Sequence, residues 1–265
     1  MVEKVLLFIS PKSNISESDI SAVEKKLSDI GIDTKRIFED ADEDFDAIIA
    51  LGGDGTMLNA SKIACRFQKP ILSINFGTLG YMCGLEKGEL EMLSALKTGF
   101  ETERRMLIDI KVCRNNDTII NTTALNEAVV TRHSDGSIAS LELRCDGATV
   151  CGYRGDGVII ATPTGSSGYA MSSGGPIIDT KLDAFCVCPI CPHALGTRPM
   201  IFSPNSVLEV VDMNRDDNNL LLADGKAICE LKKGDIVTVE KSNSSVEIIK
   251  LKKDAFYETL YKKMS

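Results

Sequence analysis

The stretch DAIIALGGDGTMLNASKIACRF, residues 46–67, decides how the first part of the chain folds. Its opening DAIIAL is a continuous apolar run of strand length, GGDGT at Gly52–Thr56 is a glycine loop, and a helical pattern follows from about Met57 to Phe67. A glycine loop between strand and helix lets bare backbone amides approach an anion, and the helix N-terminus favours negative charge there. The same alternation extends on both sides. VLLFIS is a buried strand, and Ile15 to Ile30 is an amphipathic helix with Ile20, Val23, Leu27 and Ile30 on one face and Gly31 just past its end. Pro70 precedes the strand ILSIN, the loop FGTLG and a helix from about Gly88 to Leu96. Strands alternating with helices predict a parallel sheet covered by helices.

From Glu101 the pattern changes. Short alternating runs such as MLIDIKV, SLELRCDG, GVIIATP, SVLEVVD and DIVTVEK, separated by Gly, Asn, Asp and Pro, predict a mainly β second lobe. The tail DAFYETLYKKMS carries Phe256, Leu260 and Met264 at four-residue spacing, which predicts a helix returning to the first lobe. The expected division is an α/β domain over 1–100, a β-rich domain over 101–252 and a helix over 253–265.

Composition narrows the function classes. The 265 residues carry a formal net charge of −8, so no general basic field exists for nucleic acid, and any anionic ligand must meet local donors. No stretch approaches the roughly 20 apolar residues of a membrane helix. The opening MVEKVLLFIS reads as a strand rather than a secretory signal, which predicts a cytoplasmic protein. The nine cysteines, an odd number scattered from Cys65 to Cys229, do not form the framework of a secreted domain and are expected to be reduced. Cys186, Cys188, Cys191 and His193 could in principle supply four zinc ligands, but the paired CxxC spacing usual for zinc is missing. The preferred reading is an apolar strand, FCVCPIC, ending at prolines.

Three segments carry chemistry. GGDGT lacks the Lys-Ser/Thr ending of a Walker loop and is not GxGxxG. A carboxylate beside a phosphate site is repelled by its ligand, so Asp54 must serve metal or proton handling; in phosphoryl transfer to a hydroxyl it would orient the nucleophile and take its proton. The competing reading is a tight turn in which Asp54 caps the following helix. The second segment, GDGVIIATPTGSSGYAMSSGGP at Gly155–Pro176, gathers glycines and hydroxyls around one apolar strand. Its Ser and Thr side chains could donate to sugar or phosphate oxygens and Asp156 could accept from a sugar hydroxyl, although turns and caps use the same residues. The third is Asn126-Glu127 inside ALNEAVV. Strand alternation sends these side chains to opposite faces, so both reach one ligand only where the chain bends or ends.

Together these residues resemble the NAD kinase family: GGDGT is followed, in order, by INFGTLGY, ALNEAVV, RGDGVIIATPTGSSGYA and CPICPHALGTRP, over roughly Asp46 to Gly234. The resemblance implies a Rossmann-like α/β N-terminal lobe, a β-rich, β-sandwich-like C-terminal lobe, an active site between them, and a homodimer or homotetramer. The implied reaction moves the γ-phosphoryl group of ATP, or of another triphosphate or polyphosphate, with Mg2+ or another divalent cation, onto the 2′-hydroxyl of the adenosine ribose of NAD, giving NADP. No nucleic acid or membrane partner is implied. By position, Asp54 is the proton acceptor, Gly52, Gly53, Gly55 and Thr56 form the phosphate loop, and Asp54 and Gly55 also face NAD. Tyr81 matches an aromatic position near the adenine, and Asn126 and Glu127 match the family's nucleotide-binding Asn-acid pair. Arg154 and Asp156 match ligand-contact positions, and Thr164, Ser167, Gly168, Tyr169 and Ser172 fall on the ligand-binding loop. Cys191 and Lys226 lie on further contact positions, and the PICPH match argues against a metal role for that segment. Two departures stand out: GSSGY replaces GSTAY, so Gly168 lacks a methyl, and Lys226 replaces a more usual Gln or Arg. The other readings are a lipid kinase sharing GGDGT and a non-catalytic NADP(H)-binding sensor, the latter weakened by the retained Asp54.

Overall fold

The computed structural model describes all residues except 1, 12, 40, 42–43, 79, 134–137, 215–218 and 254, so Leu79 of the FGTLG loop and Asp254 of the tail lie outside the described residues. The chain divides into two compact units, Met1–Arg104 with Val246–Ser265, and Arg105–Ser245. The first begins with β1 (Lys4–Ile9), α1 (Glu17–Asp29), β2 (Asp33–Ile37), β3 (Ala47–Leu51), α2 (Asp54–Phe67), β4 (Ile71–Asn75), β5 (Leu85–Glu86), a 3-10 segment (Lys87–Ser94) and α3 (Ala95–Thr98). Strands β2-β1-β3-β4 are parallel in that order. Every residue of β3 and β4 is buried, as the unbroken apolar runs require of strands covered on both faces.

Local chemistry sets the helix ends. The Ser16 hydroxyl accepts from Asp19 N at 3.2 Å and caps α1, whose Ile20, Val23 and Leu27 are buried. Helix α2 starts at Asp54, three residues before the apolar pattern suggested, because Gly53 takes the N-cap position. The helix expected over Gly88–Leu96 is instead the 3-10 segment, broken at Glu89 (φ −115°, ψ 17°), followed by the short α3. The Glu89 carboxylate turns back to accept from Glu86 N at 2.7 Å, closing a capping box, and it also pairs with the distant Lys252.

The second unit takes up the chain within β6 (Glu101–Arg114) and continues through β7 (Asp117–Ala124), β8 (Glu127–Arg132), β9 (Ala139–Cys145), β10 (Ala148–Gly155), β11 (Gly157–Ala161), α4 (Tyr169–Ser172), β12 (Phe185–Ile190), β13 (Met200–Phe202), β14 (Leu208–Asp212), β15 (Asn219–Ala223), β16 (Lys226–Leu231) and into β17 (Ile236–Lys250). One antiparallel sheet runs β13-β12-β11-β8-β15-β16. Facing it are β10-β9-β14-β17, with β6 pairing both β17 and β7. Val130, Val158, Ile160 and Phe185 from the first layer join Ile110, Leu143, Val210 and Val239 from the second in one buried cluster. Each such side chain stabilises the fold by roughly 1.5–3 kcal/mol.

The chain returns to the first unit inside β17, where Ile248 pairs in parallel with Ile71 of β4. There α5 (Ala255–Met264) sets Lys262 3.3 Å from Glu86 and Lys263 Nζ 4.5 Å from the Tyr81 ring centroid. Of the expected apolar stripe, Phe256 and Leu260 are partly buried, while Met264 is 69% exposed and contributes little. No described helix is long and apolar enough to cross a membrane. Of the run FCVCPIC, FCVCPI forms β12, with Cys186 and Cys188 buried and their sulfurs 3.4 Å apart; Cys191 lies exposed beyond the strand. Among the described residues, no three His, Cys, Asp or Glu side chains gather as a metal site.

Candidate active site

Two groups of candidate residues stand out, one in each unit. In the first, β3 ends at Leu51 and α2 begins at Asp54, so GGDGT spans the carboxyl edge of the parallel sheet, where open α/β folds bind ligands. A cavity of about 450 Å³ opens at the carboxyl ends of β1, β3 and β4, lined by Ser13, Asn14, Gly53, Thr56, Asn59 and Thr78 among others. None of its described lining residues is charged. It offers amides, hydroxyls and the first turn of a 14-residue helix, a neutral set of donors suited to phosphate oxygens.

Asp54 does not cap α2; Gly53 holds that position and no side chain caps it. Its Oδ2 accepts from Tyr81 N and its Oδ1 from Met82 N, each at 3.0 Å. The loop that donates these bonds is pinned to β4. Asn75 Nδ2 donates to Thr78 O at 2.8 Å, Ser73 Oγ donates to Met82 O at 2.5 Å, and Gly84 N donates to Ser73 Oγ at 2.8 Å. A carboxylate oxygen has two lone pairs. Each oxygen of Asp54 therefore keeps one after its backbone bond, and the side chain is partly exposed.

In the second unit, β8 starts at Glu127, so Asn126 lies just before the strand and escapes its alternation. Asp224 fixes the junction: its Oδ1 accepts from Asn126 N at 2.7 Å and its Oδ2 from Leu125 N at 3.2 Å. Asp224 can do this because it and Gly225 form the β15–β16 turn with φ of 48° and 70°, the left-handed pair typical of a two-residue hairpin. The 162–168 loop closes on the same place. Thr162 N donates to Asn126 O at 2.8 Å, and a methyl at Gly165 would overlap the Asn126 backbone, with Cα only 2.8 Å away. Glu127 is 5% exposed, and its Oε2, like Asn126 Oδ1, is buried without a hydrogen-bond partner. Burial, and then the nearby Asp224 carboxylate, push the Glu127 carboxyl up to about 7.

The remaining predicted residues are distributed as follows. Thr164 and Ser167 are buried in the loop beside Asn126, where Ser167 Oγ donates to Thr164 O at 3.2 Å and Arg105 Nη1 donates to Thr164 Oγ1 at 3.4 Å. Tyr169 and Ser172 are exposed on α4, and Lys226 is exposed at the start of β16. Arg154, Asp156 and Cys191 gather elsewhere. Gly157 pairs with Thr131 and Ala161 with Glu127, so Asp156 and Glu127 sit at opposite ends of the β8–β11 pair, about 17 Å apart along the strand at 3.3 Å per residue. Asp156 Oδ1 accepts from Arg132 Nε at 2.6 Å, Arg154 is exposed, and Cys191 adopts φ 44° where its carbonyl passes within 2.6 Å of a methyl built at Gly155. Sequence reasoning missed Arg132 and the anchoring role of Asp224. The DG turn signal was present for the latter, but its partners lie about a hundred residues earlier.

Comparison with known proteins joins the two groups in one family. The ATP-NAD kinase N-terminal domain matches residues 3–97 and the ATP-NAD kinase C-terminal domain matches residues 125–251. The NAD kinase of Caldanaerobacter subterraneus subsp. tengcongensis is 36% identical over 224 residues, 83% of this chain and 78% of that one. The chain belongs to the ATP-NAD kinase family. The NAD kinase of Solibacter usitatus is likewise 36% identical, over 85% of this chain and 79% of its own. Among solved structures, an NAD kinase from Archaeoglobus fulgidus in complex with ATP superposes with a TM-score of 0.78 at 27% identity, covering 98% of both chains. Yeast NADH kinase complexed with NADH shares the fold, with a TM-score of 0.88 at 20% identity over 100% of this chain and 88% of that one. These matches do not favour a lipid kinase or a non-catalytic sensor.

Family membership makes Gly168 testable. A methyl there would lie 3.2 Å from Gly165 O and 3.7 Å from both Asn126 Nδ2 and Glu127 Oε2, ordinary contact except for the carbonyl, which must yield by a few tenths of an ångström. Gly168→Ala is expected to fold and to bind dinucleotide a few-fold more tightly. Calorimetry reads the affinity. A weaker complex would mean that the methyl crowds the ligand instead of steadying the loop.

Proposed function

We propose that this chain transfers the γ-phosphoryl group of ATP to the 2′-hydroxyl of the adenosine ribose of NAD, giving NADP and ADP, with Asp54 as proton acceptor. The observation that carries this reading is the Asp54 carboxylate, oriented by the Tyr81 and Met82 amides next to a cavity lined by neutral phosphate donors, in a chain of the ATP-NAD kinase family. The ribose oxygen attacks the γ-phosphorus, the bond from that phosphorus to the β–γ bridging oxygen breaks, and ADP carries the electron pair away. Asp54 takes the hydroxyl proton late, since such transfer needs positioning more than a strong base. The amides of Gly53 and Gly55 and the Thr56 hydroxyl hold donor phosphate at the start of α2.

Asn126 and Glu127 hold the dinucleotide. The unpartnered oxygens Asn126 Oδ1 and Glu127 Oε2 are acceptors that a ribose or adenine donor satisfies. Tyr81, Thr164, Gly168, Tyr169, Ser172 and Lys226 complete the binding residues, and Arg154, Asp156 and Cys191 contact ligand at the far end of the β8–β11 pair. The amides and hydroxyls of the described lining suit magnesium that arrives on the donor's phosphates, because that ion keeps phosphate and water oxygens as most of its ligands and asks little of the protein. When bound, it supplies charge neutralisation on the transferring group. A cytoplasmic homo-oligomer completes the reading, its assembly state measurable by light scattering.

The test is a coupled assay for new 2′-phosphorylated dinucleotide, run with NAD and NADH as acceptors and with magnesium-ATP and polyphosphate as donors. Product with NAD and magnesium-ATP is expected. No product from any combination, with folded protein, would remove the proposal.

A further inference from the structure

Asp54 is held by a loop rather than by another side chain, and that loop meets it at a glycine. A methyl built on Gly80 would stand 2.7 Å from Asp54 Cγ and 3.0 Å from Oδ2, with Oδ1 nearer still. Contacts that short do not occur between real side chains, and the obstructed atoms are not the far end of a long flexible chain. Asp54 is anchored at the first turn of α2, and both its oxygens are already engaged, by Tyr81 N and Met82 N. The loop cannot easily retreat either. Buried Ser73 bonds Met82 O and Gly84 N from β4, and a methyl on Gly84 would itself meet the Leu72 side chain at 2.7 Å. Nothing comparable surrounds Gly88, where an added methyl meets no atom within 4 Å.

We infer that Gly80 is a positioning residue: its missing side chain lets the Tyr81 and Met82 amides close on Asp54 and fix the direction in which the carboxylate faces the reacting hydroxyl. The inference rests on Asp54 being the proton acceptor, as proposed above. Its physical content is geometric. Side-chain volume at residue 80 pushes the carboxylate off both amides, and a displacement of about 1 Å at a reacting group costs on the order of a hundredfold in rate. Dinucleotide binding, assigned above mainly to Asn126 and Glu127 with Tyr81 contributing from this loop, should change far less than turnover.

The experiment compares wild type, Gly80→Ala, Asp54→Asn, the Gly80→Ala/Asp54→Asn double variant and Gly88→Ala in the full chain. For Gly80→Ala, kcat is expected to fall at least tenfold, with KM for NAD and calorimetric NAD affinity within about twofold of wild type. Gly88→Ala is expected to keep wild-type kcat. If Gly80 acts through Asp54, the double variant turns over no more slowly than Asp54→Asn alone, because two changes in one chain of cause do not add. A kcat within twofold of wild type in Gly80→Ala, or full additivity in the double variant, overturns the inference. Wild-type turnover in Asp54→Asn instead overturns the proton-acceptor reading itself, so the two failures are distinct. Should Gly80→Ala fail to fold, Ser73→Ala loosens the same loop from β4, and the same kcat loss and non-additivity with Asp54→Asn are required of it.

Discussion

Asp54→Asn is expected to lower turnover by roughly a hundredfold or more, the range of a lost general base, while dinucleotide affinity stays within about twofold. The amide is nearly isosteric, but it can no longer accept at both positions. Asp54 Oδ2 and Oδ1 now accept from Tyr81 N and Met82 N; one of these must become an Asn NH2 facing a backbone N–H, so the side chain turns or the loop opens. Some of the loss is therefore orientation and some is basicity. Single-turnover phosphoryl transfer measures the first event directly, and calorimetry with NAD measures binding. Turnover within tenfold of wild type would remove Asp54 from the mechanism.

Glu127→Gln is expected to act in opposite directions on binding and on stability. Burial first, and Asp224 second, raise the Glu127 carboxyl from 4.5 to about 7. A carboxyl whose value is raised by folding keeps its proton in the native state while the unfolded chain releases it. The stability it contributes is therefore complete below about pH 4.5 and is lost as pH rises through 7. The difference amounts to on the order of 3 kcal/mol. Gln has no such titration, so the variant should melt higher than wild type at pH 8, with the gap closing towards pH 4.5. Binding runs the other way. Donors on NAD favour the ionised carboxylate, so wild-type affinity should weaken as pH falls below about 7, while the Gln variant is nearly indifferent to pH and binds more weakly at pH 8 by roughly 1–3 kcal/mol. Thermal melts and calorimetry at pH 5.5 and 8 read both arms. Equal melting shifts at the two pH values would contradict a proton held by burial, and equal affinities at pH 8 would contradict the contact.

The first unit is legible because its signals are local. Apolar runs such as AIIAL and ILSIN are strands buried at every position, and Ile20, Val23 and Leu27 turn inward at helical spacing. The 3-10 segment was less so: the capping box between Glu86 and Glu89 is local, but the pairing of Glu89 with Lys252 depends on a residue more than 160 positions away. In the second unit, Asn126 and Glu127 were visible as residue types but not as neighbours. Strand alternation separates them, and only Asp224 and the 162–168 loop, both distant in sequence, end the strand between them. Composition did not show where the hydroxyls of Ser166 and Ser167 point: they donate to Pro163 O at 2.6 Å and Thr164 O at 3.2 Å. They shape the loop, and backbone geometry of that kind cannot be counted from serines.

Strand β17 has a bearing on biogenesis. Its early residues serve the second unit, its last residues lie beside β4, and the chain then supplies α5 and the Lys252 and Lys262 ion pairs of the first unit. As the polypeptide emerges from the ribosome, the Ile71 end of β4 lacks its β17 partner until the entire second unit has been made. The unit whose translation begins first is thus closed only after the other, and a nonsense codon just before residue 246 would spare nearly all of the second unit while denying the first its last strand and helix.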